Sequence, residues 1–293
     1  MKSGFISIIG RPNVGKSTLL NAILGEKIAI TTDKPQTTRN TVRGIYNNKD
    51  IQMIFMDTPG IHKPRNKLGT YMRDCAVNTF KEVDLILFIV DEDKGKGPGD
   101  SYIVEMLREV KTPKLLLINK VDILGPKKYE SIYREYEELK VFDGIYGISA
   151  IENRNVDMVL NAIEEFIPEG PMFFPKEMIT DHPERFIVSE IIREKLLMYL
   201  EDEIPHGVAV EIESFKEKNT ITEIGAVIYC EKKSHKSIII GKKGRKLKGI
   251  GSAARKEIEG ILGAKVFLEL WVKVKENWRD NSNILSGLGY REN

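Results

Sequence analysis

Cysteine is scarce in this chain of 293 residues: Cys75 and Cys230 are the only two, far apart and in no C-x-x-C spacing. That usage fits a reduced, cytosolic setting better than a disulfide framework. Histidine is scarce too. His62, His182, His206 and His235 fall at no ligand spacing, which argues against a zinc site. No apolar run approaches the roughly 20 residues that a membrane span needs. Low-complexity tracts and internal repeats are likewise missing, so the composition is that of an ordinary globular protein. The first residues, MKSGFISIIG, run directly into a glycine turn and read as a strand, not as a signal peptide. A cytoplasmic, soluble protein of about two domains is expected.

Net charge is also small, at +2, but it is unevenly spread. Residues 1–175 balance to zero and residues 176–230 carry −6, whereas residues 231–293 hold 15 Lys and Arg against 7 Asp and Glu. The positive charge therefore gathers at the C-terminal end and points to a polyanionic partner there.

What is present in the first half is alternation. Strand-length apolar runs at 5–9, 52–56, 84–90, 114–118 and 145–148 are separated by helical patterns such as 101–110 and 128–140. This order predicts a mostly parallel sheet with helices on both faces, whose ligands bind at the C-terminal strand ends. Four motifs fall at such ends. In GRPNVGKST, Gly10, Gly15, Lys16 and Ser17 have phosphate-loop spacing, with Thr18 beside them. Backbone N–H groups there wrap phosphates, Lys16 reaches the β and γ phosphates, and Ser17 offers a hydroxyl to Mg²⁺. In MDTPG, Asp57 is placed to hold Mg²⁺ and the Gly60 N–H to meet the γ-phosphate. In INKVD, Asp122 accepts the two donors of guanine's N1 and N2 edge, Lys120 lies on the purine face and Asn119 ties this loop to the phosphate loop. In ISA, Ser149 and Ala150 close the base site, with the Ala150 N–H expected at guanine O6. One strong and three weaker signals in this order predict a guanine-nucleotide P-loop domain and disfavour a kinase or ATPase.

The order GRPNVGKS, TTR, DTPG, NKVD, SA resembles the GTPases of the Era type, within the translation-factor class. The resemblance implies a first switch in PQTTRNT, where Thr38 is the expected Mg²⁺-binding threonine and Thr37 the alternative. Asn13 resembles the phosphate-loop asparagine that helps related GTPases hold K⁺; a loop-capping asparagine is the competing reading. Ile61 follows DTPG where better-known small GTPases place a water-orienting glutamine, and it cannot hydrogen-bond. His62, Arg39 and Arg43 each have a structural reading as well as a catalytic one, so the catalytic group stays unassigned. Unassisted turnover of ~10⁻⁴ to 10⁻² s⁻¹ is expected by analogy.

After the proline- and glycine-punctuated stretch 168–183 the pattern changes. An amphipathic helix is predicted over 184–203, strands over 208–215 and 223–231, a strand end at KSIII, a glycine loop, a basic helix, and a last strand over 265–276. This resembles the second topological type of KH domain, an α+β fold. Its G-x-x-G loop is Gly241-Lys242-Lys243-Gly244, followed by Arg245, Lys246 and Lys248; missing Cβ atoms let backbone press on nucleic-acid phosphates. Trp271 is expected to pack on the sheet. The expected division is a GTPase domain over 1–170, a linker over 171–182 and a KH domain over 183–293.

The resemblance implies a monomeric GTP/GDP switch that binds the single-stranded 3′ end of 16S rRNA on the 30S subunit during small-subunit assembly. It also leaves open a peripheral association with the inner face of the cell membrane. Two rival readings compete with it: a signalling GTPase docking its basic domain on anionic membrane, and an RNA scaffold with a vestigial nucleotide domain. The C-terminus GLGYREN lacks a lipidation signal, and intact Lys16, Ser17, Asp57 and Asp122 argue against the scaffold.

Overall fold

Aliphatic runs bounded by glycine and polar turns build a six-stranded sheet in the computed structural model, which describes residues 1–91 and 96–291. The strands are β1 (Lys2–Gly10), β2 (Val42–Asn48), β3 (Ile51–Asp57), β4 (Leu85–Val90), β5 (Lys114–Ile118) and β6 (Gly144–Gly147), in the order β2-β3-β1-β4-β5-β6. All neighbours are parallel except β2 and β3. Every residue of β4 and β5 is buried, which is why these strands read as unbroken apolar runs without alternation. The helices are α1 (Lys16–Leu24), α2 (Lys67–Asn78), α3 (Pro98–Arg108), α4 (Pro126–Glu137) and α5 (Val156–Glu164).

Strand β2 is absent from the sequence expectation. Its VRGIYNN is too polar to stand out; it forms because a tight turn at Lys49 (φ +44) folds it back along β3. The stretch expected as a linker is also ordered against this edge. Gln52 accepts from the Phe173 and Phe174 amides and donates to the Phe174 carbonyl, Ile45 N donates to the Ile179 carbonyl, and Arg43 pairs with Asp181 at 2.8 Å.

The chain divides into two compact units. The first is Met1–Ala29, Thr38–Arg65 and Gly69–Asp181; the second is Ile30–Thr37, Asn66–Leu68 and His182–Asn293. The second unit contains α6 (Glu184–Tyr199), β7 (Ala209–Glu217), β8 (Thr222–Cys230), α7 (Lys233–Ile240), α8 (Arg245–Leu262), β9 (Val266–Val274) and α9 (Ser282–Gly287). Its sheet runs β7-β8-β9, with β7 antiparallel and β9 parallel to β8. Ile191, Leu196, Ile228, Ile239, Ile250, Ile258 and Val272 fill the core between helices and sheet.

One expectation is corrected here. The isoleucine run of KSIII ends a helix, α7, and not a strand. Three β-branched residues favour a strand locally, but Ile239 is buried in the core while Ile238 is exposed. Tertiary burial of one helical face overrides propensity. Trp271 packs on the sheet: 43 % exposed on β9, it lays its ring beside Gly225 of β8, where a Cβ would come within 3.1 Å of it. The tail after β9 is anchored by Trp278, fully buried, whose indole N–H donates to the Gly207 carbonyl at 3.0 Å. The last two residues of GLGYREN lie outside the described residues.

Candidate functional site

The phosphate loop links β1 to α1. Gly10 and Gly15 take φ +156 and +101, and Gly15 lies in the left-handed region that favours glycine. A Cβ on Gly15 would fall 2.2 Å from Asn119 Nδ2. Asn119 cannot yield, because its amide donates to the Val14 carbonyl at 2.8 Å and its Oδ1 accepts the Ala150 N–H at 3.0 Å. Helix α1 then starts on Gly15 with no side-chain cap and no acidic residue in its first turn. Its free N–H groups and positive dipole end face the loop, an arrangement that attracts phosphate.

Lys16 is buried, and its ammonium donates to the Arg11 carbonyl at 2.8 Å. Burial lowers its pKa to about 8, against the opposing pull of Asp57 and Asp91. Asp57, at the end of β3, is fully buried and pushed up to about 6 by desolvation; Lys16 and hydrogen bonds from Ser17 and Thr38 oppose this. Ser17 Oγ donates to Asp57 Oδ2 at 2.6 Å, and Thr38 Oγ lies 2.9 Å from Ser17 Oγ. Asp57 Oδ1 is buried without a hydrogen-bond partner among the described residues. Two hydroxyls and a carboxylate with an unsatisfied oxygen fit a hard, oxygen-preferring dication such as Mg²⁺. Of the two threonines only Thr38 faces this set; Thr37 Oγ donates to the Lys34 carbonyl at 2.6 Å.

Gly60 brings the DTPG turn hard against the phosphate loop: a Cβ there would sit 2.6 Å from Pro12 N. Ile61 is not in the site. It is fully buried in the core with Ile9, Phe88 and Ile118, and its N–H donates to the Gly10 carbonyl at 3.0 Å. Arg39 is buried as well, at 1 % exposure. His62 is half-buried, its Nδ1 2.9 Å from the Gly60 carbonyl.

The base side is assembled from the loops after β5 and β6. Lys120, at φ +64, pairs with Asp91. Asp122 Oδ1 is buried with no hydrogen-bond partner among the described residues, so a donor pair placed there would satisfy it. The Ala150 N–H differs from expectation, since it is engaged by Asn119 and not left for a ligand. Ser149 pairs through its backbone with Arg154. The sequence reading missed Asp100. It is fully buried and holds Arg11 of the phosphate loop, Nε to Oδ1, at 2.7 Å. Nothing in its local sequence marks it.

The second glycine loop joins α7 to α8. Gly241, Lys243 and Gly244 all take positive φ, at +72, +53 and +75. Helix α8 begins on Gly244, again with no side-chain cap and no acidic residue in its first turn. Lys242, Lys243, Arg245 and Lys248 are exposed, and Lys246 is half-buried. Beside the loop runs an open groove of about 380 Å³, lined by Leu247, Lys248, Ser252, Arg255, Phe267 and Leu268 among others. Ser252, Arg255 and Phe267 escaped the sequence reading because only the packing of α8 on β9 brings them together.

Residues 5–120 match the family described as 50S ribosome-binding GTPase, and residues 203–279 match the KH domain. The chain is 58% identical to the GTPase Era of Alkaliphilus oremlandii over 99% of both chains. It is 56% identical to the GTPase Era of Clostridioides difficile, again over 99% of both. A crystal structure of Era in complex with MgGDPNP and nucleotides 1506–1542 of 16S ribosomal RNA superposes with a TM-score of 0.97, at 40% identity over 100% of both chains. A single-residue variant of Aquifex aeolicus Era bound to GDP.AlF4⁻ superposes at 0.94, also at 40% identity over the whole of both chains.

Proposed function

Since the chain belongs to the Era family of GTPases and is thus itself a GTPase, we propose that its nucleotide cycle controls the grip of a KH domain on single-stranded RNA. The RNA is the 3′ end of small-subunit rRNA, and the setting is assembly of the 30S subunit in the cytoplasm by a monomer. The working division is a GTPase domain over 1–170, a connecting stretch over 171–182 and a KH domain over 183–293. The single observation that carries the reading is a repeated device. Two helices, α1 and α8, each start on a left-handed glycine with no side-chain cap and no acidic first turn. Each presents the positive end of a helix dipole to phosphate, although in α8 the Gly244 and Arg245 N–H groups already donate to the Gly241 and Lys242 carbonyls. One is set in a buried loop, the other in an exposed basic one.

In this reading Gly15, Lys16, Ser17 and Thr18 hold the nucleotide phosphates, with Gly60 above them. Asn119, Lys120, Asp122, Ser149 and Ala150 frame the base, and Asp122 reads guanine through its unsatisfied Oδ1. Ser17, Thr38 and Asp57 hold Mg²⁺, which when bound neutralises charge on the phosphate oxygens. Asn13 stands exposed at φ +67, a conformation asparagine tolerates; we assign K⁺ there as an accessory, checked by comparing turnover in potassium and sodium. The RNA set is Gly241, Lys242, Lys243, Gly244, Arg245, Lys246 and Lys248, extended by Ser252, Arg255 and Phe267 along the groove.

The N-terminal family is described by the 50S subunit, whereas the full-length structural relative holds 16S RNA. We follow the full-length relative, because residues 5–120 do not include the glycine loop that meets RNA. Crosslinking and sequencing the RNA bound by the full chain, with a GTP analogue and with GDP, tests the proposal. Reads gathered at the 3′ end of small-subunit rRNA, with occupancy that depends on the nucleotide, are expected. Reads spread evenly over all RNA, displaced equally by anionic vesicles, would replace the RNA clamp with a membrane or general polyanion surface.

A further inference from the structure

Three consecutive charged residues in the middle of α6, Arg193, Glu194 and Lys195, are buried at 1, 0 and 8 % exposure. Burying such groups is costly, and well-packed apolar residues are often at least as stable in their place. Their partners explain the arrangement. The Arg193 guanidinium donates to Glu190 Oε1 at 2.8 Å through Nε, and through Nη2 to Glu190 Oε2 and the Thr37 carbonyl. Glu194 Oε1 accepts the Thr31 N–H at 3.0 Å. Its other oxygen accepts from Lys195 at 2.7 Å, and Lys195 in turn pairs with Glu257 of α8.

The loop Ile30–Thr37 belongs to the same compact unit as α6, and the two bonds from α6 hold its two ends. Between them the loop is stiffened internally: Thr37 Oγ lies 2.7 Å from Thr32 Oγ and donates to the Lys34 carbonyl, and Lys34 N donates to Thr32 Oγ at 3.1 Å. The next residue in the chain is Thr38, whose hydroxyl meets Ser17 and Asp57. A peptide whose carbonyl is fixed leaves the following residue only its own two torsions.

We propose that Arg193 and Glu194 are positioning residues for GTP hydrolysis. By fixing the Thr37 carbonyl and the Thr31 amide, they set where the Thr38 hydroxyl can stand. The inference rests on the assignment of Thr38 to the Mg²⁺ set made above. Arginine suits the task, since its planar fork serves carboxylate and carbonyl together where lysine offers a single point of charge.

The test is single-turnover GTP hydrolysis by the full chain across a Mg²⁺ titration, with Arg193→Lys, Glu194→Gln, Thr38→Ala and the Arg193→Lys/Thr38→Ala double variant. Arg193→Lys should slow hydrolysis about tenfold, as a small misplacement of a reacting group does, and raise the Mg²⁺ midpoint while GDP affinity stays unchanged. Glu194→Gln keeps its shape and its acceptor for Thr31, so it should fold and lose about threefold, as weakening one charge-assisted bond implies. In the Thr38→Ala background Arg193→Lys should add nothing further, because both act through one hydroxyl. If the α6 variants lower the melting temperature yet leave rate and Mg²⁺ midpoint unchanged at temperatures where they are folded, their role is structural and the proposal is overturned. If Thr38→Ala itself is silent, the assignment of Thr38 fails and the proposal with it.

Discussion

The two glycine-lysine loops use one backbone device in opposite surroundings. In the phosphate loop Lys16 is 5 % exposed, and a Cβ on Gly15 would strike Asn119 at 2.2 Å. In the second loop Lys242 and Lys243 are exposed, and a Cβ on Gly244 would meet nothing within 4 Å. Each surrounding suits the ligand proposed for it. A nucleotide is small, recurs in one geometry, and repays enclosure because electrostatics strengthen as water leaves. A single strand is long and passes through, so its clamp stays open and its charges stay hydrated. The same helix N-terminus is thus a specific site when walled in and a general phosphate rest when left bare.

The largest effect should break the comparison at its glycines. Gly15→Ala forces a side chain onto a left-handed backbone and into a fixed amide, and should weaken GTP binding at least about a hundredfold by calorimetry. Gly244→Ala adds only the left-handed strain of about 1–2 kcal/mol and should leave RNA binding within about tenfold of the parent. Equal losses in both would show that the second loop is enclosed after all. Gly244→Asp adds a negative charge where phosphate must approach, and should abolish measurable RNA binding at physiological salt while GTP binding stays intact. Gly244 is the better probe of the two, because a Cβ on Gly241 would lie 2.7 Å from that of Lys246 and confound binding with folding.

Next in size, Asp122→Asn removes one acceptor from the site proposed to read guanine donors, where Oδ1 is buried. GTP affinity should fall tenfold or more, since an unpaired buried group costs ~1–3 kcal/mol, and xanthosine triphosphate, with an acceptor at its 2-position, should gain. Unchanged GTP binding would remove Asp122 from the base site. Ile61→Ala should act on stability and not on chemistry. Its fully buried side chain predicts a loss of roughly 2–5 kcal/mol in denaturant unfolding, with the hydrolysis rate per folded molecule nearly unchanged; a collapsed rate at unchanged stability would place it in the mechanism. Smallest, Lys242→Ala and Lys243→Ala should weaken RNA binding evenly across sequences, each lowering the log–log salt slope by about 0.7. An unchanged slope would mean these exposed lysines do not touch phosphate.

Much of this was legible in one dimension because the signals are local. The spacing of Gly10, Gly15, Lys16 and Ser17 dictates a loop before a helix whatever surrounds it, and Asp57, Asp122 and Ala150 each stand just past an apolar run long enough to be a strand. Gly241 and Gly244 mark left-handed backbone that other residues rarely adopt. Misreadings arise where local preference and packing disagree. Ile238, Ile239 and Ile240 favour a strand by β-branching, yet one buried position among them holds a helix. Ile61 is no such case: the sequence already marked it as unable to hydrogen-bond, and it lies buried among Ile9, Phe88 and Ile118.

What the sequence alone determined is chemistry carried by short stretches: the nucleotide motifs, the KH glycine loop and the basic end that follows it. Tertiary structure alone decided which distant stretches share an environment. It set Asp100 under Arg11, gathered Arg255 and Phe267 at one groove, and brought Thr31 and Thr37 to α6, more than 150 positions away. The reason is physical. A motif's geometry follows from torsions a few residues apart, whereas a buried charge in mid-helix declares no partner until the fold supplies one. Arg193, Glu194 and Lys195 look in the sequence like any solvated helical face; only their burial shows that they are held by what they hold.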